Sequence, residues 1–356
     1  MSDSKVALVV GASGIIGHAL VETLLEQGDW TVRVVRRSFI ADVETIDLDL
    51  TDAHASHQAL AAAGDTTHVF YAALRPDANL GREAMINGAM LRNLLDGLNA
   101  AGANLERVIH YQGAKVYGVH LGPSTAPFYE DETPRHVGPN FYYDQEDLLR
   151  ERAERGDFEW SILRPDVVVG DIAGNPMNIA LVIGAFAALS LETGVPLRFP
   201  GSVRTYRGVL AQLTDARWLA RASLWAALDP AARNQAFNLV GEPFRWERIW
   251  NKVGNALGME VAEPLPFSLA RQMPEMRDTW QRLAERHNLR PIPFDKLVGW
   301  PFGDFIFNTE FDMISDMGKI RRAGFSEAVN TEDCLIGAIR RLGEKGYIPT
   351  FAGGHS

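Results

Sequence analysis

Short apolar runs alternate with amphipathic segments over the first 170 residues. The apolar runs have the length and the β-branched content of strands that are buried on both faces. They occupy residues 6–10, 31–35, 45–48, 68–72, 107–111 and 160–163. The intervening segments, such as 17–27 and 83–101, have the spacing of helices that cover a sheet. This alternation predicts an α/β fold, a doubly wound parallel sheet with helices on both faces.

The first predicted strand ends in a glycine-rich loop. Gly11, Gly14 and Gly17 follow it at regular spacing, and a predicted helix continues from the last of them. Glycine permits the tight turn and lets backbone N–H groups approach a pyrophosphate at the positive end of that helix. The context predicts a Rossmann-type fold with its dinucleotide site at this loop, and a plain tight turn is the alternative.

The end of the second predicted strand indicates which nicotinamide cofactor binds. An acidic residue there would accept from a ribose hydroxyl, whereas a cation would pair with a 2′-phosphate. Arg36 and Arg37 stand at this point, and a pair of arginines favours NADPH over a merely solvated basic turn. After the third strand, Asp49 either accepts from the adenine amino group or caps the next helix.

The pattern changes after residue 170. Tryptophan and proline become more frequent, and segments such as 263–267 have the composition of loops. We predict a dinucleotide-binding core over residues 1–170 and a mainly substrate-binding region over 171–356, with some segments that return to the core. The most apolar stretch, 179–191, is shorter than the roughly 20 residues that a membrane span needs, and it predicts a buried helix.

Composition narrows the range of partners. A formal net charge of -10 gives no basic excess for nucleic-acid phosphates. The one cysteine, Cys334, excludes an internal disulfide and a thiolate cluster, and the nine histidines show no H-x-x-x-H spacing. We therefore expect a small-molecule substrate, no metal, no nucleic acid and no membrane. A reducing cytoplasm fits this composition, and a homodimer stays open as an alternative to a monomer.

The catalytic pair of ordinary short-chain dehydrogenases is missing. Those enzymes carry Tyr-x-x-x-Lys on a helix, where the four-residue spacing places both side chains on one face. Here Tyr142 and Tyr143 are followed four residues later by Glu146 and Asp147. A carboxylate raises the pKa of a neighbouring phenol, so a cation must come from another segment. Lys115, after the fifth predicted strand, is the candidate, and an ordinary surface lysine is the alternative.

Three motifs together resemble the progesterone 5β-reductase and iridoid synthase family. They are Gly-x-Lys-x-Tyr at 113–117, Asn-Phe-Tyr-Tyr-x-x-Glu-Asp at 140–147 and the double arginine at 36–37. The double tyrosine with its acidic tail is the most specific of them, because ordinary dehydrogenases have a lysine there. The likeness runs nearly from end to end of the chain.

The resemblance implies roles for individual residues. It makes Tyr143 the catalytic phenol and Lys115 its partner. The dehydrogenase pattern fits best when its tyrosine is placed on Tyr143, which puts Asp147 at the position of the usual lysine. Tyr142 is the alternative phenol. With the glycine loop, it also implies a set of residues beside NADPH. They are Gly11, Ser13, Gly14, Ile15, Gly17, Arg36, Arg37, Asp49, Leu50, Ala73, Tyr111, Tyr143, Val168, Asn175 and Met177.

Two departures from the family pattern border the expected pocket. Residues 118–120 look like an insertion, and Asp166 stands after Arg164 and Pro165 where the family tends to have asparagine. Further along the chain, Phe302 and Phe305 either line an apolar substrate cavity or pack in the core. The two departures from the family pattern bear on which substrate binds more than on which reaction the protein carries out.

The resemblance implies an NADPH-dependent 1,4-reduction of an α,β-unsaturated carbonyl, an enone reductase activity. An ordinary ketone or aldehyde reductase is one alternative, because the same cofactor can deliver hydride to the carbonyl carbon. A regulator that binds NADPH without turnover is another, although it would have no need of Lys115 and Tyr143 near the nicotinamide.

Overall fold

Seven parallel strands form the central sheet in a computed structural model that describes residues 5–36, 43–135 and 138–351, and of Arg36 the backbone alone. The strands of the chain are β1 (Lys5–Val10), β2 (Trp30–Arg36), β3 (Glu44–Asp47), β4 (His68–Tyr71), β5 (Arg107–Tyr111), β6 (Glu159–Arg164), β7 (Val168–Val169), β8 (Leu197–Arg198), β9 (Leu210–Ala211), β10 (Thr214–Asp215), β11 (Gln235–Asn238), β12 (Phe244–Arg245) and β13 (Val261–Ala262). The sheet has the order β11-β6-β5-β4-β1-β2-β3.

The helices cover both faces of this sheet and build a second layer beyond it. They are α1 (Ile15–Gln27), α2 (Ala53–Leu60), α3 (Leu80–Ala100), α4 (Phe141–Glu154), α5 (Ile179–Glu192), α6 (Val203–Gly208), α7 (Ala216–Leu228), α8 (Trp246–Leu257), α9 (Leu269–Gln272), α10 (Arg277–Arg286), α11 (Phe294–Leu297), α12 (Trp300–Phe307), α13 (Gly318–Arg322) and α14 (Thr331–Glu344). The short 3₁₀ turns of the described ranges are Ala61–Ala63, Ala114–Tyr117, Val119–Leu121, Pro230–Ala232 and Met273–Met276.

The strand order places a switch point beside β1. The chain runs outward through β2 and β3, then returns to pair β4 with the other edge of β1. Ligands of doubly wound sheets bind in the crevice at the carboxyl ends of the strands on either side of such a point. The α/β fold of Rossmann type is thus confirmed, and it predicts where the site lies.

Two apolar cores lie on the two faces of the sheet. Helices α1 and α7 pack on one face, and helices α2, α3 and α4 pack on the other. Each predicted strand over residues 1–170 is present, with ends that shift by at most one residue. The sheet also takes β11 from well beyond residue 170, where the apolar run is too short to be predicted as a strand.

A third core surrounds α5. Twelve of its fourteen residues are buried, which confirms the prediction of a buried helix there. Its neighbours include Phe199, Trp250 and Phe307, whose rings pack edge to face. Within the described ranges, none of the helices is both long and apolar enough to cross a membrane.

Candidate active site

A cavity of about 820 Å³ opens at the carboxyl edge of the main sheet. The loops after β1, β4, β5 and β6 form one wall, because parallel strands bring their carboxyl ends to the same edge. The segment from α6 to β10 and helix α12 form the opposite wall. The cavity is therefore bounded by the sheet on one side and by the later half of the chain on the other.

The glycine loop needs glycine at its first and last positions for different reasons. Gly11 has a φ of +86°, and a Cβ there would lie 2.7 Å from the carbonyl oxygen of Ala72. A Cβ on Gly17 would lie 2.3 Å from the carbonyl oxygen of Gly11. Gly17 thus lies outside the cavity wall and lets α1 approach the loop closely.

The same loop fits the phosphates of a dinucleotide. Gly14 is the N-cap of α1, and a glycine offers no side-chain oxygen to the first N–H groups of the helix. Ser13, Gly14 and Ile15 line the cavity. A Cβ on Gly14 would make an ordinary contact with the amide nitrogen of Asn175 at 3.7 Å, so Asn175 lies directly beside the loop. The positive end of α1 therefore faces a space suited to a pyrophosphate.

Gly17→Ala should destabilise the protein by about 1–3 kcal/mol and weaken NADPH binding, because backbone atoms must shift to admit the new methyl group. Urea unfolding and a fluorescence titration with NADPH measure the two effects. Gly208→Ala is the matched control, since a Cβ there has no neighbour within 4 Å among the described residues. Equal free energies of unfolding for the two variants would contradict the close approach at Gly17.

Asp49 lies in the cavity wall beside Leu50. One of its carboxylate oxygens accepts from the backbone N–H of Thr51 at 3.0 Å and from the Thr51 hydroxyl at 2.8 Å. The cap of helix α2 is Asp52, whose carboxylate accepts from the N–H of Ala55. Asp49 is therefore not the helix cap. Its position in the cavity wall agrees with the interpretation that it accepts a hydrogen bond from the adenine amino group of the cofactor.

The structure brings most of the remaining predicted cofactor residues to the same cavity. Those in its wall are Gly11, Ala73, Tyr111, Val168, Asn175 and Met177. Tyr111 is anchored by a hydrogen bond of 2.8 Å from its hydroxyl to the Ser223 hydroxyl. Arg36 ends β2, and Arg37 lies outside the described residues.

The two tyrosines at the start of α4 point in different directions. The Tyr143 hydroxyl donates to the carbonyl oxygen of Val116 at 2.7 Å, and Tyr143 is absent from the cavity wall of the described structure. Tyr142 lines the cavity, and a Cβ on Gly113 would lie 3.3 Å from its hydroxyl oxygen. The structure thus brings Tyr142, the alternative phenol, to the cavity and directs Tyr143 to the backbone of the neighbouring turn.

Burial raises the pKa of Tyr142 above its ordinary value of 10.0, and the charges of Glu83 and Asp166 raise it further. The phenol is therefore protonated at neutral pH and can donate a hydrogen bond into the cavity. That is the state in which a phenol stabilises a developing oxyanion.

Lys115 lies in the 3₁₀ turn that follows β5, and its side chain reaches the cavity wall. Its ammonium nitrogen is 3.6 Å from the carboxylate of Glu83, which is buried on α3. Asn140, the N-cap of α4, donates to the carbonyl oxygen of Lys115 at 3.0 Å. These contacts hold the lysine turn against the start of the helix that carries Tyr142.

Glu146, four residues after Tyr142, belongs to a buried ionic network. Its carboxylate accepts from Arg164 at 3.3 Å, from Arg150 at 2.7 Å and from Gln112 at 3.0 Å. Gln112 also donates to the backbone carbonyl oxygen of Tyr142 at 3.1 Å. Burial alone would raise the pKa of Glu146, but the hydrogen bond from Arg150 and the charge of Arg164 lower it overall.

Among the described residues, three buried side chains in the cavity wall carry polar atoms without a hydrogen-bond partner, and the sequence predicted none of them. They are Tyr71 on β4, His110 on β5 and Gln145 on α4. The Tyr71 hydroxyl, both ring nitrogens of His110 and the side-chain oxygen of Gln145 have no hydrogen-bond partner among the described residues. Burial lowers the pKa of His110 to about 4, so its ring is neutral. The sequence signal that could have indicated this buried polar group is His110 itself, a histidine within an apolar strand.

The proposed insertion and the later aromatic residues border the cavity. Val119 and His120 line it from a 3₁₀ turn that begins after Gly118. Trp246, Phe302 and Phe305 also belong to the wall, which favours the cavity-lining interpretation of the two phenylalanines. The part of the cavity beyond Tyr142 is therefore largely apolar.

Solved structures of other proteins share this fold. A GDP-L-fucose synthetase from Naegleria fowleri bound to NADP aligns with a TM-score of 0.67 and 15% identity over 98% of this chain and 96% of its own. A UDP-glucose 4-epimerase from Thermotoga maritima aligns with a TM-score of 0.67 and 17% identity over 95% of this chain and 99% of its own. At these identities the likeness shows the fold alone.

Sequence relatives are closer. An (S)-8-oxocitronellyl enol synthase from Camptotheca acuminata is 32% identical, covering 97% of this chain and 93% of the relative. A 3-oxo-Δ4,5-steroid 5β-reductase from Arabidopsis thaliana is 32% identical, covering 95% of this chain and 92% of the relative. The profile of the PRISE-like Rossmann-fold domain matches residues 36–343. The chain therefore belongs to the PRISE-like family of Rossmann-fold proteins, as its double tyrosine and Lys115 motifs indicated.

Proposed function

We propose that this protein is an NADPH-dependent oxidoreductase that reduces the C=C bond of an α,β-unsaturated carbonyl. The observation that carries the proposal is Tyr142, a protonated phenol in the wall of a cavity that also contains a dinucleotide-binding glycine loop. The relatives named as a steroid 5β-reductase and as an enol synthase support hydride addition to the β-carbon. The substrate is a small apolar enone.

The residues of the chain act on the carbonyl end of the substrate. NADPH, when bound, supplies the hydride. Tyr142 donates a hydrogen bond to the carbonyl oxygen, on which negative charge develops as an enolate forms. One such donor contributes about 3 kcal/mol to the stability of a transition state in other enzymes. Lys115, held between Glu83 and the start of α4, keeps a positive charge near that oxygen.

This assignment departs from the register that the resemblance implied. The hydroxyl of Tyr143 donates to a backbone carbonyl, so using it on a substrate would require breaking that hydrogen bond and turning the side chain. Tyr142 needs no such change. We therefore assign the phenol to Tyr142 and a structural hydrogen bond to Tyr143.

The double variant Arg36→Ala/Arg37→Ala should raise KM for NADPH roughly 10- to 100-fold, because a hydrogen bond to a charged phosphate contributes about 1.5–3 kcal/mol. KM for NADH should change little, since NADH lacks the 2′-phosphate. Steady-state kinetics with both cofactors make the comparison. A parallel rise in both KM values would show that the arginines do not bind the phosphate.

The test of the proposed function is NADPH oxidation with 2-cyclohexen-1-one, with NADH alongside and the product identified by mass and retention time. Formation of cyclohexanone, mainly with NADPH, is the expected result. An allylic alcohol as the product would show that the protein is a carbonyl reductase. Tight NADPH binding without oxidation across a panel of enones and aldehydes would support the alternative that the protein is a regulator that binds NADPH without turnover.

We also propose a cytoplasmic location, where NADPH is available and the one thiol of the chain, Cys334, stays reduced. The partner that the cavity supports is the small-molecule substrate. We propose a homodimer as the oligomeric state. Size-exclusion chromatography with light scattering tests it by measuring the molar mass in solution.

A further inference from the structure

Asp166 presents a carboxyl group in the cavity wall, in the turn between β6 and β7. Thr214 on β10 fixes the backbone at this point in two ways. Its hydroxyl oxygen accepts from the N–H of Asp166 at 3.1 Å and donates to the carbonyl oxygen of Asp166 at 2.9 Å. The carboxyl group is therefore attached to a backbone segment that a neighbouring strand holds in place.

The next residue, Val167, adopts an unusual backbone conformation. Its φ is +39°, in the left-handed region that a β-branched side chain rarely occupies. One carboxylate oxygen of Asp166 accepts from the N–H of Val167 at 3.0 Å and supports this turn. Strained residues of this kind persist where the surroundings impose them, and they concentrate at functional sites. Val167 and Asp166 both belong to the cavity wall.

Burial and the N–H of Val167, and no charged side chain in the described ranges, are the influences that shift the pKa of Asp166. Among the described residues, no lysine, arginine or histidine forms an ion pair with it, and its second carboxylate oxygen has no hydrogen-bond partner. Burial raises the pKa of Asp166 to about 6, although the N–H of Val167 partly opposes the shift. The protonated form is therefore accessible near neutral pH, which an ordinary exposed aspartate would not achieve.

Asp166 and Tyr142 reach the same part of the cavity from different elements. A Cβ on Gly113 would lie 3.3 Å from the Tyr142 hydroxyl oxygen and 3.8 Å from the carbonyl oxygen of Pro165, the residue before Asp166. The charge of Asp166 also contributes to the raised pKa of Tyr142, after burial and Glu83. A substrate whose carbonyl oxygen binds Tyr142 thus lies beside the turn that carries Asp166.

We propose that Asp166 donates the proton that completes the reduction at the α-carbon of the substrate. This inference rests on the proposed function. The β-carbon receives the hydride that NADPH supplies, and the electron pair of the C=C bond moves to give an enolate held by Tyr142. The enolate carbon then takes the carboxyl proton, the C=O bond forms again, and the Asp166 carboxylate recovers a proton from water. The substrate gains one hydride and one proton.

The position of the donor has a stereochemical consequence. A proton that comes from a fixed carboxyl group adds to one face of the enolate. An enol that leaves the protein is protonated in water on both faces equally. An enone with a substituent on its α-carbon therefore records the origin of the proton in the configuration of its product.

The experiment uses an α-methyl enone that the wild type reduces, 2-methyl-2-cyclohexen-1-one or its acyclic counterpart 2-methylpent-2-enal. The enantiomeric excess of the saturated product is measured by chiral gas chromatography after short incubations. Asp166→Asn is the test variant, because an asparagine oxygen can still accept from the N–H of Val167. Asp166→Ser serves if the first variant does not fold. Asp131→Asn, at an exposed carboxylate outside the cavity wall, is the control.

The wild type and Asp131→Asn should give one enantiomer in excess. Asp166→Asn should still oxidise NADPH and form the saturated product, because water can supply the proton, but the enantiomeric excess should fall to near zero. Retention of the excess in Asp166→Asn, or a racemic product from the wild type, would overturn the proposal. So would loss of single-turnover oxidation in a variant that still binds NADPH. Failure of the wild type to form cyclohexanone from 2-cyclohexen-1-one would instead overturn the proposed function.

Discussion

Replacing Tyr142 by phenylalanine should lower kcat roughly 100- to 1,000-fold, the usual effect of removing one hydrogen-bond donor to an oxyanion. The affinity for NADPH should stay the same, because the phenol acts on the substrate and the glycine loop binds the cofactor. Stopped-flow oxidation of bound NADPH and a separate fluorescence titration measure the two quantities. Equal losses in both would mean that Tyr142 supports cofactor binding and not the chemical step.

Tyr143→Phe is the matched control for this prediction. It removes a hydroxyl from the adjacent residue of the same helix, where the lost interaction is a hydrogen bond to the carbonyl oxygen of Val116. We expect a loss of about 1 kcal/mol in the free energy of unfolding and a small change in kcat. If Tyr143→Phe abolishes turnover while Tyr142→Phe remains active, the assignment of the phenol is reversed.

Glu146→Ala should destabilise the protein by about 3–5 kcal/mol, because it leaves the guanidinium of Arg164 buried without its carboxylate. The side chains of Arg164 and Glu146 are 2% and 4% exposed, so water cannot replace the lost partner. The free energy of unfolding in urea is the measurement. Asp147→Ala, which removes an exposed pair with Arg135 on the same helix, should cost no more than about 1 kcal/mol.

The same network makes stability depend on pH. The pKa of Glu146 is lowered in the folded protein, so its stabilising contribution is complete above the ordinary value of 4.5 and is lost as pH falls through the lower folded value. Wild type should therefore lose stability between about pH 4.5 and more acidic conditions, and Glu146→Gln should lose less over that interval. Identical pH profiles for both would show that Glu146 contributes nothing to this acid sensitivity.

The sheet and the glycine loop could be predicted because their signals are local. The apolar runs that became β1, β4 and β5 are continuous, and the glycines stand directly between a strand and a helix. Strand β11 lacked such a signal, since it has four residues and its burial depends on pairing with β6. Pairing over long sequence separation is decided by tertiary packing.

Helical periodicity could have indicated from the sequence which of the two tyrosines faces the cavity. Tyr142 shares a helix face with Glu146 and Leu149, both of which are buried, whereas Tyr143 shares a face with the exposed Asp147. Aligning the chain on a dehydrogenase pattern favoured Tyr143, whereas the structure brings Tyr142 to the cavity wall and supports the proposal that Tyr142 is the phenol. The rotation of α4, which its apolar positions determine, is the better guide.

The polar groups of the cavity floor could not be predicted from local sequence. His110 and Tyr71 come from neighbouring strands, and Gln145 comes from a helix that covers them. Their proximity is a property of the sheet order and of the way α4 packs on it. The exposure of Asp166 to the cavity likewise depends on Thr214, which lies far away in the sequence.

The position of the transferred hydride tests the central claim most directly. The protein would be supplied with NADPH deuterated at C4 on either face and with 2-cyclohexen-1-one, and the product examined by deuterium NMR. The account predicts deuterium on the β-carbon of cyclohexanone with one of the two labelled cofactors. Deuterium on the carbon that bears the oxygen, in an allylic alcohol, would contradict the account and make the protein a carbonyl reductase.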